Sequence, residues 1–109
     1  MRWLVLVFAA CVPAPLTIDE MVCPPGGTQL TYASFGAEFF ASYCNECHAS
    51  AQHGAPEAYT FDTVDEVRMR ADRIFVRAAG PNVTMPPGPD DPPAGDRDAL
   101  AEWLSCGAP

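Results

Sequence analysis

Residues 31–48 read TYASFGAEFFASYCNECH, which joins an aromatic-rich segment to a short cysteine and histidine motif. The aromatic side chains of this segment recur every three or four residues, at Phe35, Phe39, Phe40 and Tyr43. That spacing is typical of one face of a helix. Gly36 is unfavourable inside a helix, so we expect a close approach of another element there. The stretch therefore predicts a helix over residues 31–43 that ends at the cysteine motif.

The motif at residues 44–48 (CNECH) has the form C-x-x-C-H, which is the attachment sequence of c-type haem. Two thiols three residues apart on one helical turn can each add to one of two neighbouring vinyl groups. The next residue then presents its imidazole to the iron. We therefore predict one covalently bound haem c, with Cys44 and Cys47 as thioether links and His48 as an iron ligand. A covalent cofactor would also complete the limited core of a chain this small.

Two other kinds of site share this pattern. Half of a zinc site would need two more well-spaced ligands. Exported thiol–disulfide oxidoreductases can carry C-x-x-C-H, but their fold needs a strand before the motif and a sheet around it. This chain has a helical pattern before Cys44 and little alternation of the strand type. Thiol–disulfide exchange at Cys44 and Cys47 is the alternative if no haem is attached.

The second iron ligand follows by elimination, because electron-transfer haems commonly pair histidine with methionine. The other methionines are the initiator, a residue of the N-terminal lead-in and a residue opposite an apolar helical stripe: Met1, Met21 and Met69. Met85 lies in a loop that prolines make stiff, and we predict it as the ligand. His53 is a rival, but it follows His48 too closely to reach the opposite haem face easily. A five-coordinate haem sensor or peroxidase-like module is the alternative if Met85 does not bind.

Two further helices are predicted. Residues 63–79 begin with a capping box and end before Gly80 and Pro81, and their apolar stripe comprises Val64, Val67, Ala71, Ile74, Phe75 and Ala78. Residues 96–106 begin at Asp96 as the N-cap and end at Gly107, with core candidates Leu100, Trp103 and Leu104. Residues 81–95 contain six prolines and are expected to form an ordered loop. We predict an all-α fold of three main helices with proline-rich loops.

The N-terminus has the features of an export signal: a basic start, an apolar run and small residues over residues 1–10. Cys11 after two alanines resembles the lipobox of bacterial lipoproteins, although Phe8 replaces the usual aliphatic residue. The resemblance implies that Cys11 is lipidated and anchors the chain in the periplasm or cell envelope. Residues 11–30 are interpreted as a tether and lead-in, with Cys23 as its one fixed feature.

Composition excludes several classes. The chain has 109 residues, which allows one domain. It carries 14 acidic and 6 basic residues, a net charge of −8, and this disfavours a nucleic-acid partner. No apolar run approaches the roughly 20 residues of a membrane span. A hydrophobic content of 49 % argues against general disorder.

The order of these features over residues 31–106 resembles class I cytochrome c, and the corresponding domain is assigned to residues 31–109. The resemblance implies an electron carrier rather than an enzyme, with redox protein partners and no small-molecule substrate. It also implies that the first and last helices cross near Gly36 and Phe40, against Trp103. A proline carbonyl is expected to accept the Nδ1 proton of His48, and Pro56 is the candidate.

Cys44 and Cys47 are assigned to the haem and Cys11 to the lipid. The remaining cysteines are Cys23 and Cys106. In an oxidising compartment they can form one disulfide between the lead-in and the C-terminal helix. Two separate thiols are the alternative. The function expected from the sequence is a monohaem cytochrome c that carries single electrons between redox partners outside the cytoplasm.

Overall fold

The computed structural model describes residue 11 and residues 13–109, and all regular elements in this part of the chain are helical. The α-helices are α1 (Ala37–Tyr43), α2 (Asn45–His48), α3 (Val64–Met69), α4 (Ala71–Ala78) and α5 (Ala94–Ser105). Short 3-10 turns occupy Ile18–Glu20 and Glu57–Tyr59. The prediction of an all-α fold is confirmed for these residues. The predicted export signal over residues 1–10 lies outside them.

The predicted first helix is confirmed, although its first turn is wider than an α-helix. A π-helical turn over Tyr32–Gly36 continues directly into α1. Thr31 caps this turn, because its side chain accepts from the Ser34 backbone N–H while the Ser34 hydroxyl accepts from the Thr31 backbone N–H, both at 3.0 Å. This reciprocal cap satisfies two backbone donors that the first turn would otherwise leave unpaired.

The second predicted helix is interrupted. Arg70 leaves the helical conformation at φ −116° and ψ 17°, so residues 63–79 form α3 and α4 rather than one helix. The Arg70 side chain is tied to another part of the chain: its Nε donates to the Ala58 carbonyl at 2.9 Å, and its guanidinium lies over the Tyr59 ring. These contacts of Arg70 accompany the break between α3 and α4. The apolar periodicity of residues 63–79 does not predict the break.

The last helix begins two residues before the predicted N-cap. The Pro93 carbonyl accepts from the backbone N–H groups of Asp96 and Arg97 at 3.0 and 3.1 Å, so α5 starts at Ala94 and Asp96 lies inside its first turn. Pro93 is the N-cap, and its ψ of 151° lies outside the helical conformation. The helix ends as predicted, with Gly107 at φ +87°.

The core lies between the first helix, α4 and α5. Its largest fully buried side chains are Trp103, Phe40, Phe75, Leu100, Leu104 and Val67. A Cβ built on Gly36 would lie 2.7 Å from two carbon atoms of the Trp103 ring, and the Phe40 and Trp103 rings lie 6.3 Å apart. The first and last helices therefore meet at Gly36 and Phe40 against Trp103, as the resemblance implied.

The lead-in packs against the helices. Ile18, Met21 and Leu30 are half-buried on the core, and the Asn82 side chain donates to the Leu16 carbonyl at 2.9 Å. Cys23 is joined to Cys106 with an S–S distance of 1.98 Å. Cys23 is thus one of several fixed features in a segment that we expected to be loose. Among the described residues, no helix is long and apolar enough to cross a membrane.

Candidate haem site

The cysteine and histidine motif forms a single helical turn at the end of α1. The backbone N–H groups of Cys47 and His48 donate to the Cys44 carbonyl at 3.1 and 2.9 Å. Cys44 and His48 are half-buried, whereas Cys47 is exposed. Neither cysteine is in a disulfide. Two thiols and an imidazole are thereby presented from one turn, which is the arrangement that the motif requires.

The Cys44 thiol is the more enclosed of the two. Burial raises the pKa of the Cys44 thiol to about 12, against a smaller opposing effect of the nearby Arg97 guanidinium. The thiol is therefore protonated at neutral pH in the chain as described.

His48 is oriented by a backbone carbonyl and by an aromatic ring. Its Nδ1 atom lies 2.6 Å from the carbonyl oxygen of Tyr59, and its ring stacks on Phe61 with 4.7 Å between the centroids. A carbonyl oxygen can only accept, so the proton of the neutral imidazole lies on Nδ1 and the lone pair on Nε2. This tautomer is the one that a histidine ligand of haem iron needs.

The carbonyl that accepts from His48 Nδ1 is therefore that of Tyr59. Our expectation that the Pro56 carbonyl would do so is wrong. The Pro56 carbonyl accepts from the Tyr59 backbone N–H at 2.8 Å and closes the 3-10 turn over Glu57–Tyr59. This turn places the Tyr59 carbonyl, three residues later, against the imidazole. Pro56 begins the turn, but its carbonyl is not the one that accepts from the histidine.

Residues 57–61 form a strap along the motif that sequence reasoning missed. The Phe61 backbone N–H donates to the His48 carbonyl at 3.0 Å, and the Asn45 side chain donates to the Phe61 carbonyl at 3.2 Å. Arg70 holds the other end of the strap at Ala58. Two aromatic residues, Tyr59 and Phe61, soon after the motif were the available signal, but α-helical periodicity does not detect a single 3-10 turn with two non-helical residues after it.

Met85 has its backbone fixed and its side chain accessible. Its N–H donates to the Arg77 carbonyl, and its carbonyl accepts from the Arg97 guanidinium, both at 2.8 Å. The side chain is 40 % exposed. The Arg97 guanidinium therefore holds the Met85 backbone directly.

The rival ligands are placed differently. Met69 is 70 % exposed on α3, and Met21 packs against the core. His53 is exposed in a loop. Its backbone φ is +54°, a value that is uncommon for residues other than glycine. None of these residues has the backbone bonds to Arg77 and Arg97 that hold Met85.

The described residues offer little else that could bind a metal or a ligand. Within residue 11 and residues 13–109, no group of three or more histidine, cysteine, aspartate or glutamate side chains could hold a metal ion. An open cavity of about 220 Å³ lies along the first helix and Asp96, and its lining does not include the cysteine motif. The donor set of two free thiols, an oriented imidazole and a methionine loop remains the best candidate site, and it fits a c-type haem.

A family model matches the part of the chain that carries this donor set. The family model described as "Cytochrome C oxidase, cbb3-type, subunit III" matches residues 33–104, which is 72 of the 109 residues. The match includes the cysteine motif, the Met85 loop and most of α5, and it excludes the lead-in. No curated protein and no solved structure matches the chain.

Proposed function

Because the chain belongs to the c-type cytochrome family described as cytochrome c oxidase, cbb3-type, subunit III, we propose that it is a monohaem cytochrome c carrying single electrons between redox proteins outside the cytoplasm. Membership of the family makes it a small haem-binding electron carrier. The finer assignment depends on the ligands that this chain offers. The observation that carries it is the single helical turn bearing Cys44, Cys47 and His48, with His48 Nδ1 bonded to a backbone carbonyl.

Cys44 and Cys47 would form the thioether links to the haem, and His48 Nε2 and the Met85 sulfur would bind its iron. The bound haem iron supplies reversible one-electron exchange between its ferric and ferrous forms. The Tyr59 carbonyl holds the His48 ring in one orientation and increases the basicity of its Nε2. The Phe61 ring covers one face of the imidazole and excludes water from it.

With His48 and Met85 both bound to the iron, no open position would remain for a substrate. This arrangement supports an electron carrier rather than an enzyme. A methionine thioether favours the reduced iron and raises the reduction potential. The helices on both sides of the site are packed on one core, so little rearrangement of the chain is needed when an electron arrives or leaves.

The test uses the full chain exported from a host that attaches haem to other c-type cytochromes. After denaturation the haem should stay with the chain. It should be lost when both Cys44 and Cys47 are replaced by serine. Met85→Ala should abolish the absorption band of methionine-to-ferric-iron charge transfer, whereas Met69→Ala, which removes a methionine at the surface, should leave it unchanged.

The outcomes separate the alternatives. A charge-transfer band that survives Met85→Ala would mean that another methionine binds the iron. A band that is missing in the unmodified protein, with no spectral change on Met85→Ala, would favour the five-coordinate sensor or peroxidase-like module. A colourless protein from a competent host would remove the haem proposal altogether. Thiol–disulfide exchange at Cys44 and Cys47 would then be the function to assay.

The location is proposed from the sequence of residues 1–11. We propose that the chain is exported and that Cys11, which is exposed, carries the lipid anchor. Mass spectrometry of the mature protein should find a lipidated Cys11 as its first residue. Cys11→Ser should move the protein from the membrane fraction to the soluble fraction, and an unlipidated N-terminus in the unmodified protein would refute the anchor.

A further inference from the structure

Arg97 is the one charged side chain buried in the part of the chain that the structure describes, with 4 % of its surface exposed. It lies in the first half of α5. Its Nη1 atom lies within hydrogen-bond distance of three backbone carbonyls, those of Ala78 at 2.9 Å, Asn82 at 3.0 Å and Met85 at 2.8 Å. Nη1 carries two N–H groups, so one of them is shared between two of these carbonyls. A single guanidinium nitrogen therefore joins α5 to three points along the segment that follows α4.

This cation has no carboxylate partner in residues 13–109, where the only ion pair is between Arg68 and Asp65 at the surface. Burying a charge is unfavourable unless it is paired or well hydrogen-bonded. Here only neutral carbonyl dipoles stabilise it. An apolar side chain at this place could fill the same space without that cost, so the three hydrogen bonds are the feature that distinguishes arginine.

The three carbonyls mark successive points of one loop. Ala78 is the last residue of α4. The Asn82 N–H closes the next turn on the Ala79 carbonyl at 3.0 Å, and Met85 is the proposed iron ligand. The backbone adds two further ties: the Gly80 N–H donates to the Arg97 carbonyl at 2.9 Å, and the Met85 N–H donates to the Arg77 carbonyl at 2.8 Å. The Arg97 guanidinium is the side-chain group that connects all three points.

We propose that Arg97 is a positioning residue that holds the Met85 backbone so that the methionine sulfur stays on the haem iron. The proposal rests on the proposed function, because it requires Met85 to be the ligand. A thioether is a weak ligand, and its occupancy depends on how closely the chain confines it. Arg97 supplies this confinement through the carbonyl of the ligand residue itself.

The test measures how easily free imidazole displaces the methionine from the ferric iron of the haem-loaded protein. Imidazole binds only the fraction of molecules in which the methionine is off, so its apparent affinity reports that fraction. Hydrogen bonds from a charged donor contribute enough that Arg97→Gln should raise this affinity by at least about tenfold. The methionine charge-transfer band should weaken in parallel.

Arg97→Lys provides a second variant that keeps the cation. Its affinity for imidazole should lie between those of the unmodified protein and Arg97→Gln. If Arg97→Gln yields no folded protein, the test rests on Arg97→Lys alone. An imidazole affinity of Arg97→Lys equal to that of the unmodified protein would then overturn the proposal.

Two control variants separate the specific role of Arg97 from a general loss of charge or of stability. Arg77→Gln removes an exposed cation next to the same loop, and it should leave the affinity unchanged if charge alone is not responsible. Gly36→Ala should destabilise the fold at a distance from the loop without a tenfold change in affinity. A rise of the same size in either control would count against a specific role of Arg97.

Failure of this proposal differs from failure of the proposed function. If Met85→Ala removes the charge-transfer band while Arg97→Gln changes neither the band nor the imidazole affinity, Met85 is the ligand and Arg97 does not position it. If Met85→Ala changes neither quantity, the ligand assignment itself is wrong and the Arg97 proposal falls with it.

Discussion

Gly36 lies so close to the indole ring of Trp103 that a Cβ on Gly36 would fall 2.7 Å from two ring carbon atoms. Real Cβ atoms do not approach other atoms this closely, so one of the two residues would have to move. The ring has little freedom, because Trp103 is fully buried and its Nε1 donates to the Pro109 carbonyl at 3.1 Å. The contact thus fixes the distance between the first helix and α5.

Gly36→Ala should therefore lower the free energy of unfolding, by about 1–3 kcal/mol as for other overpacked cores. Gly95→Ala is the matched control, because Gly95 lies in α5 with open space around its Cβ position. It should be neutral or stabilising by up to about 1 kcal/mol, since alanine is the better helix former. Denaturant unfolding of the two variants measures both effects, and equal stabilities would contradict the packing argument.

The Cys23–Cys106 disulfide closes a loop with a sequence separation of 83 residues. In the chain-entropy treatment a loop of this size contributes at most about 4–5 kcal/mol to stability. Replacing both cysteines by alanine should lower the unfolding free energy by about 2–4 kcal/mol and free the lead-in from α5. The comparison should be made on haem-loaded protein. A loss below about 0.5 kcal/mol would mean that the unfolded chain gains little freedom from the change.

Cys44 and Cys47 should differ in reactivity in the haem-free chain. A thiol whose pKa is raised to about 12 releases its proton only as the pH approaches that value. At pH 8 it is thiolate in only about one molecule in 10,000, and the thiolate is the form that an alkylating reagent attacks. Exposed Cys47 should thus be alkylated first at pH 8, and Cys44 should catch up as the pH rises toward 12.

Peptide mass mapping after short exposure to iodoacetamide measures the two rates. A sample unfolded in denaturant serves as the reference in which both cysteines should react alike. Equal rates at pH 8 without denaturant would show that the Cys44 thiol is not enclosed as described.

The main helices follow from sequence because their signals are local. The Thr63 cap, the positive φ of Gly107 and the aromatic spacing before Cys44 all lie within a few residues of the feature they define. The break at Arg70 does not, because its anchors at Ala58 and Tyr59 are 12 and 11 residues away in the chain. A helical pattern of period 3.6 shows only which residues share a helix face, so it does not predict contacts between Arg70 and a distant part of the chain.

In the candidate site too, some residues could be predicted from the sequence and others could not. The motif predicts Cys44, Cys47 and His48, because attachment chemistry fixes their spacing. The Tyr59 carbonyl was missed, because any residue has a carbonyl and only the turn after Pro56 decides which one faces the imidazole. Arg97 was missed for a related reason: its partners are backbone oxygens, which carry no residue signature.

The net charge of −8 predicts how small redox reagents react with the haem-loaded protein. A cationic ruthenium ammine complex should be attracted, so its rate of electron exchange should fall as salt is added. Ferricyanide is an anion, and its rate should rise with salt. Stopped-flow measurements at low and high ionic strength test this, and a shared salt dependence of the two reagents would indicate that local charges at the haem edge outweigh the net charge.

The disulfide between Cys23 and Cys106 has a topological consequence for the haem site. The sulfur bridge converts the chain between these residues into a covalent ring, and the ring contains Cys44, Cys47, His48 and Met85. A protease that cuts one peptide bond in the exposed proline-rich loop opens the ring but releases no fragment. The proposed iron ligands, His48 and Met85, would then remain part of one covalent molecule. Without the disulfide, no covalent bond of the chain would join the two fragments.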